Sequence, residues 1–292
     1  MQVAVYGRNL PDSARENIAT MFNKFTALDI DVWIFAPLYE NLQQKTGLRP
    51  KVAGTFTGPD DLPAETDFLF SLGGDGTFLE TVGLVKESAI PVLGVNTGRL
   101  GFLSYISPEN LDESLDSVFS GRFDIEERML LKVEVPGAGK VIPDLALNEV
   151  RIYKNSGSLI TVHIRVNEEF LSAYWADGVL LSTPTGSTAY NLSVGGPIVM
   201  PESNSLILSP IAPHNLTVRP LVLPDSAILQ LTVDTRDPTY QLALDSHTID
   251  LEADSTVTVR RADQVLRMIR IENISFYSTL RNKLMWGADK RN

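Results

Sequence analysis

FLFSL at 68–72, GGDGT at 73–77 and FLETVGLVK at 78–86 run directly into one another. A short apolar strand, a glycine turn and a helix in immediate succession make one βα unit of a parallel sheet. The neighbouring sequence repeats that alternation. Val3 to Gly7 reads as a strand, followed by a helix from about Asp12 whose Ile18, Met21, Phe22, Phe25 and Leu28 have the spacing of one buried stripe. Val32 to Ala36 and Pro91 to Val95 read as further strands. Ser107-Pro108-Glu109 supplies a hydroxyl cap and a proline at the first helical position, and Gly121 is placed to end that helix.

Beyond about Arg128 the texture changes. LKVEV, ALNEVRIYK, ITVHIRV, LLSTP, LILSPI, ILQLTVD, YQLALD, TVTVRR and VLRMIRI follow one another, mostly separated by Asn, Gly, Asp or Pro. That pattern predicts an all-β, sandwich-like domain. Hairpins are expected at Asn167-Glu168-Glu169 and at Ala262-Asp263-Gln264. The tail from Ser275 to Trp286 reads as a helix with a Phe276, Leu280, Leu284 and Trp286 stripe, which needs a surface to cover it. The expected organisation is therefore an α/β domain with a parallel sheet over 1–127, completed by a returning helix at 275–292, and a β-rich domain over 128–274.

Composition narrows the function classes. Two hundred and ninety-two residues suit about two domains. A net charge of −11 disfavours a nucleic-acid partner. The absence of cysteine removes thiolate nucleophiles, disulfides and Cys-zinc sites. The opening residues lack a basic n-region and a long apolar core, and no stretch approaches the roughly 18 apolar residues of a membrane span, so a soluble, cytoplasmic protein is expected. His163, His214 and His247 are too scattered for a usual zinc cluster.

Three places carry candidate chemistry. At 73–77, Gly73, Gly74 and Gly76 allow close backbone approach, and the free N–H groups of the following helix suit phosphate. Asp75 in the middle either caps the helix or accepts a proton from a hydroxyl attacking that phosphate. Familiar nucleotide motifs are missing. Leu79 stands where a dinucleotide fingerprint needs Gly, and Gly139-Lys140 has Glu134 and Val141 where a P-loop needs Gly and Ser or Thr. The second place is the run from Asp177 to Ser193, continuing to Gly195-Gly196-Pro197, where a buried strand enters a loop dense in hydroxyls, with Tyr190 available to stack. It is either a binding loop or a capped turn. The third is Asn148-Glu149, polar within a strand: one of the two faces solvent, or both serve a ligand at the strand end.

GGDGTFLE at 73–80, NTGRLGFL at 96–103, LNE at 147–149, DGVLLSTPTGSTAYNLSVGGPIV at 177–199 and PHNLTVRPLVLP at 213–224 resemble, in order and spacing, the NAD kinase family. GGDGT alone is shared with lipid kinases; joined to the NE pair and the TPTGSTAY run it is far more specific. The resemblance implies a two-domain fold and transfer of the ATP γ-phosphoryl group to the 2′-hydroxyl of the adenosine ribose of NAD, with an active site between the domains. It implies Asp75 as the base with Gly76 beside it, and places Gly73, Gly74 and Thr77 among the substrate-binding residues. It assigns Asn148, Glu149 and Asp177 to NAD, and Thr185, Thr188, Ala189, Tyr190, Asn191, Leu192 and Ser193 to the loop at its adenine end. It further implies Mg²⁺ carried by the ATP phosphates, with no protein ligands assigned, and a homodimer or homotetramer in which a neighbouring subunit completes the NAD site. Trp175, where some relatives carry Arg, and Asp245-Ser246-His247, in place of a frequent Asp-Gly-Gln, depart from the family pattern.

Overall fold

A computed structural model describes residues 1–8, 10–86, 88–98, 101–137, 144–271 and 275–285. The chain forms two compact units, 1–127 with 266–292, and 128–265. The return to the first unit thus begins at Leu266, inside the strand Val257–Ile271, ahead of the terminal helix.

The first unit is built on a parallel sheet. Its strands lie in the order Gly54–Phe56, Asp31–Phe35, Gln2–Gly7, Phe68–Leu72, Val92–Val95, followed by the end of Val257–Ile271, where Met268 pairs with Val92. The four central strands are short and almost wholly apolar, as strands covered on both faces must be. Helix Arg15–Ala27 buries Ile18, Met21, Phe22 and Phe25. Leu28 does not join that stripe: the helix ends at Ala27, Asp29 reverses the chain with φ of 51°, and Leu28 is exposed. The Phe25 ring meets Phe70 at 5.2 Å and Phe119 at 5.8 Å, tying two helices to the sheet. The sequence reading missed strand Gly54–Phe56 and helix Ala36–Asn41, which continues as a π-helix over Leu42–Thr46. Helix Phe276–Leu284 is capped by the Ser275 side chain, which accepts the Ser278 N–H at 3.1 Å. Trp286, the last member of its expected stripe, and the Gly139-Lys140 segment lie outside the described residues.

The second unit packs two antiparallel sheets face to face. One has the order Leu221–Pro224, Ser205–Ile211, Gly178–Ser182, Glu149–Tyr153, Thr239–Leu244, His247–Glu252. The other joins Glu169–Ala176, Ile160–Val166, Leu229–Asp234 and the first part of Val257–Ile271. Alternate residues of both, among them Val150, Ile152, Leu181 and Tyr240 from one and Val162, Ile164, Leu229 and Val259 from the other, make one core. The hairpin at Asn167-Glu168 forms, with φ of 49° and 68° at its two central residues, as a tight two-residue turn requires. The second expected hairpin does not. Ala262, Asp263 and Gln264 continue the strand Val257–Ile271, none takes positive φ, and Ala262 is buried.

Candidate active site

In the first unit, the order of the parallel strands reverses between Gln2–Gly7 and Phe68–Leu72. Crevices at the carboxyl ends of strands flanking such a reversal are where open α/β sheets bind ligands. Gly73-Gly74 lies at the carboxyl end of Phe68–Leu72, and the helix Asp75–Val85 starts at once. A Cβ on Gly73 would sit 2.4 Å from Thr77 Oγ1, so that turn closes only around glycine. Gly74 and Gly76 are different: a Cβ at either would meet no atom of the described residues within 4 Å. Their bareness leaves open space over the first helical N–H groups, which have no carbonyl within the helix to bond. Arg8 follows the neighbouring strand and is held through Nε to Glu80 Oε2 at 2.7 Å; the Tyr6 hydroxyl donates to the same oxygen at 2.6 Å.

Asp75 is half-buried, and its carboxylate faces the loop at 101–103, accepting the Phe102 N–H at 2.8 Å and the Leu103 N–H at 3.0 Å. One N–H per oxygen leaves each oxygen able to accept another proton donor. The carboxylate is therefore fixed in direction while still open to a hydroxyl. Among the described residues no group of His, Asp or Glu side chains converges as a metal site. His163 pairs with Asp234, His214 packs its ring 4.2 Å from Trp175, and His247 is exposed.

In the second unit, Asn148 and Glu149 are both buried where the strand Glu149–Tyr153 begins. Their backbone is held from two sides. Asp245, at the end of a neighbouring strand, accepts the N–H groups of Leu147, Asn148 and Glu149 at 2.8, 2.8 and 3.0 Å. From the other side Thr183 donates its N–H to the Asn148 carbonyl at 2.9 Å and its hydroxyl to the Leu147 carbonyl at 2.6 Å. Gly186 lies so close that a Cβ would fall 2.1 Å from the Asn148 carbonyl oxygen. Burial, with the Asp245 carboxylate beside it, pushes the Glu149 carboxyl up to about 7 against the opposing Arg151 guanidinium. Burial pushes Asp245 upward as well, but the three N–H groups and Arg151 oppose it. Both Asp245 oxygens accept N–H groups, whereas Glu149 Oε2 has no hydrogen-bond partner among the described residues.

The hydroxyl-rich loop divides into two kinds of residue. Asn191 is fully buried and its amide is consumed internally: Nδ2 donates to Ser187 and Pro197 carbonyls, and Oδ1 accepts the Ser209 hydroxyl at 2.7 Å. It shapes the loop and presents nothing outward. Thr185 is buried with an unpartnered Oγ1, Thr188, Ala189 and Leu192 are half-buried, and Tyr190 and Ser193 are exposed. Tyr190 and Asp177 meet across a cavity of about 260 Å³ that Arg151, Tyr153, Lys154, Ser156 and Ile211 also line. Lys154 Nζ stands 2.6 Å from Asp177 Oδ1. Asp245 and Arg151 were not among the residues that the sequence assigned to a site.

Residues 23–123 match the family model of the ATP-NAD kinase N-terminal domain, and residues 147–271 that of the ATP-NAD kinase C-terminal domain. An NAD kinase of Flavobacterium psychrophilum is 41% identical, with all of both chains covered, and one of Porphyromonas gingivalis is 41% identical over 99% of each. Among solved structures, yeast NADH kinase complexed with NADH superposes with a TM-score of 0.85 at 26% identity, covering 99% of this chain and 89% of that one. An NAD kinase from Archaeoglobus fulgidus in complex with ATP shares the fold, with a TM-score of 0.73 at 24% identity over 98% of each chain.

Proposed function

The chain belongs to the ATP-NAD kinase family, and we propose that it transfers the γ-phosphoryl group of ATP to the 2′-hydroxyl of the adenosine ribose of NAD, giving NADP and ADP. In the reaction the ribose O2′ forms a bond to the γ-phosphorus as the bond to the β,γ-bridging oxygen breaks. The 2′-hydroxyl proton passes to Asp75. The observation that carries this reading is the Asp75 carboxylate, aimed by the Phe102 and Leu103 N–H groups and seated at the start of a bare-glycine helix turn. A site that only held phosphate would gain nothing from a negative charge there.

Phosphoryl transfer depends on positioning and charge neutralisation more than on covalent help from the protein. The N–H groups at Gly74 to Thr77 would hold phosphate oxygens, and Arg8 adds a positive charge beside the neighbouring strand end. Mg²⁺ fits this donor set as an ion bound chiefly by phosphates and water, since Mg²⁺ commonly keeps several waters and takes few protein carboxylates. When bound it neutralises charge on the phosphates. Asn148, Glu149, Asp177, Thr185, Thr188 and Tyr190 would hold NAD, with Asn191 supporting the loop from behind. The exposed Phe170 and Trp175 of the strand Glu169–Ala176 support a homo-oligomer, a dimer or tetramer whose neighbouring subunit completes the NAD site.

The test is NADP formation from NAD and MgATP, with Asp75→Asn alongside. Removing a general base costs on the order of 10²- to 10⁴-fold in turnover. The variant should lose that much kcat while NAD binding, followed by calorimetry, persists. Unchanged turnover would remove Asp75 from the role of base.

A further inference from the structure

Arg151 reaches from beside the buried Glu149 carboxyl to the cavity lining. It projects from the strand Glu149–Tyr153, partly buried, and its Nη2 donates to the Asp245 carbonyl at 2.9 Å. Its Nε lies 3.9 Å from Glu149 Oε1 and makes no hydrogen bond. The guanidinium carbon stands 5.3 Å from the centroid of the Tyr190 ring and 5.9 Å from that of Tyr153. The cavity's other cation, Lys154, is paired with Asp177 at 2.6 Å. Arg151 is thus the cavity cation whose charge faces Glu149, in a chain whose net charge is −11.

Resting on the NAD kinase reading, we propose that Arg151 is a positioning residue of the acceptor site: it seats the Tyr190 ring from within the cavity, and its charge holds Glu149 ready to accept a hydrogen bond from the dinucleotide. Two physical effects act through one planar group. A guanidinium over an aromatic face restrains the ring and leaves the opposite face for a stacked base. A cation beside a buried carboxyl favours its ionised form. Among the described residues, the ionisable groups facing Glu149 are Asp245, from the end of Thr239–Leu244, and Arg151 on its own strand; the adjoining strand Gly178–Ser182 sets Ser182 opposite it.

Replacing Arg151 by Lys keeps the charge and loses the plane, whereas Arg151→Met loses both. Stacking on Tyr190 should therefore weaken in both variants, and NAD Kd, measured by calorimetry, should rise about three- to thirtyfold with ATP Kd within twofold of the parent. The pH profile separates the two roles. In the parent and in Arg151→Lys, kcat/KM for NAD should climb through about pH 7, where Glu149 ionises. In Arg151→Met that rise should move to higher pH. A double-mutant cycle with Tyr190→Ala should show coupling between the two side chains in NAD binding. Parental NAD affinity and an unmoved pH profile in folded Arg151→Met, or strictly additive effects in the cycle, would overturn the proposal. If the parent protein binds NAD but forms no NADP, the reaction assigned above fails, and the NAD Kd values and the cycle still decide the role of Arg151.

Discussion

The backbone of Asn148 is held by a carboxylate from far along the chain: Asp245 Oδ1 accepts the Asn148 N–H at 2.8 Å. The same oxygen takes the Glu149 N–H, and Oδ2 takes that of Leu147. Three N–H groups converging on one buried carboxyl group make an anion-type nest whose acceptor is built into the chain. It fixes the shape of the turn that presents the Asn148 and Glu149 side chains.

Truncating that carboxylate should be costly. Asp245→Ala leaves three buried N–H groups without their acceptor, and an unsatisfied buried donor costs about 1–3 kcal/mol. A loss of at least about 3 kcal/mol is expected in denaturant unfolding. Asp245→Asn keeps one carbonyl oxygen and should lose less. An Ala variant as stable as the parent would mean that the turn holds itself.

Glu149→Gln should change how stability depends on pH. The folded Glu149 carboxyl lies at about 7 against an ordinary 4.5, so the folded state binds its proton more tightly than the unfolded chain. The resulting stabilisation is complete below the ordinary value and is lost as pH rises through about 7. At roughly 1.4 kcal/mol per pH unit, the span amounts to about 3 kcal/mol. Gln carries no such dependence. Relative to the parent, the variant should therefore gain stability between pH 5 and pH 8, as thermal melts at the two pH values would show. Parallel curves would place the Glu149 carboxyl at its ordinary value.

The strand, glycine turn and helix at 68–86 were legible because each step is local: apolar residues extend, glycine reverses, and the next residues have helical neighbours. The Asn167 turn was legible for a similar reason, since Asn tolerates positive φ. What the sequence concealed is non-local. Asp245 follows an ordinary strand, YQLAL, and nothing near it says that its partners are Leu147 to Glu149. Its only signal was the departure from Asp-Gly-Gln, in which the aspartate itself is retained. Arg151 alternates with the buried Val150 and Ile152 and so reads as a solvent-facing charge. Asn191 lies inside the binding-loop motif, and its amide bonds within the loop and to Ser209, which the motif does not reveal. The charged stretch around Asp263 resembled a turn, but a strand with an exposed face accepts charge there equally well.

Two glycine substitutions should have opposite signs. Gly186→Ala would press its methyl group against the Asn148 backbone carbonyl at 2.1 Å. Neither side can yield cheaply, and a loss of about 1–3 kcal/mol or more is expected. Gly83→Ala, on the exposed side of helix Asp75–Val85 with no atom of the described residues within 4 Å, should gain about 0.5–1 kcal/mol. Equal effects at the two sites would show that the close approach at Gly186 is absent in solution.

The sharpest test of Asp75 leaves Asp75 itself intact. A Cβ on Gly101 would fall 1.7 Å from Asp75 Oδ1, and the aspartate, being a short side chain, would have to turn aside. Its bonds to the Phe102 and Leu103 N–H groups would loosen with it. The carboxylate would keep its chemistry and lose its aim. Misplacing a reacting group by about 1 Å can cost on the order of 10²-fold. Gly101→Ala should therefore lower kcat by about 10- to 100-fold while NAD affinity and the melting temperature change little, since Asp75 is only half-buried. If kcat holds while the substrate KM values rise, the loop at 101–103 would be serving binding, and the direction of the Asp75 carboxylate would not limit the chemical step.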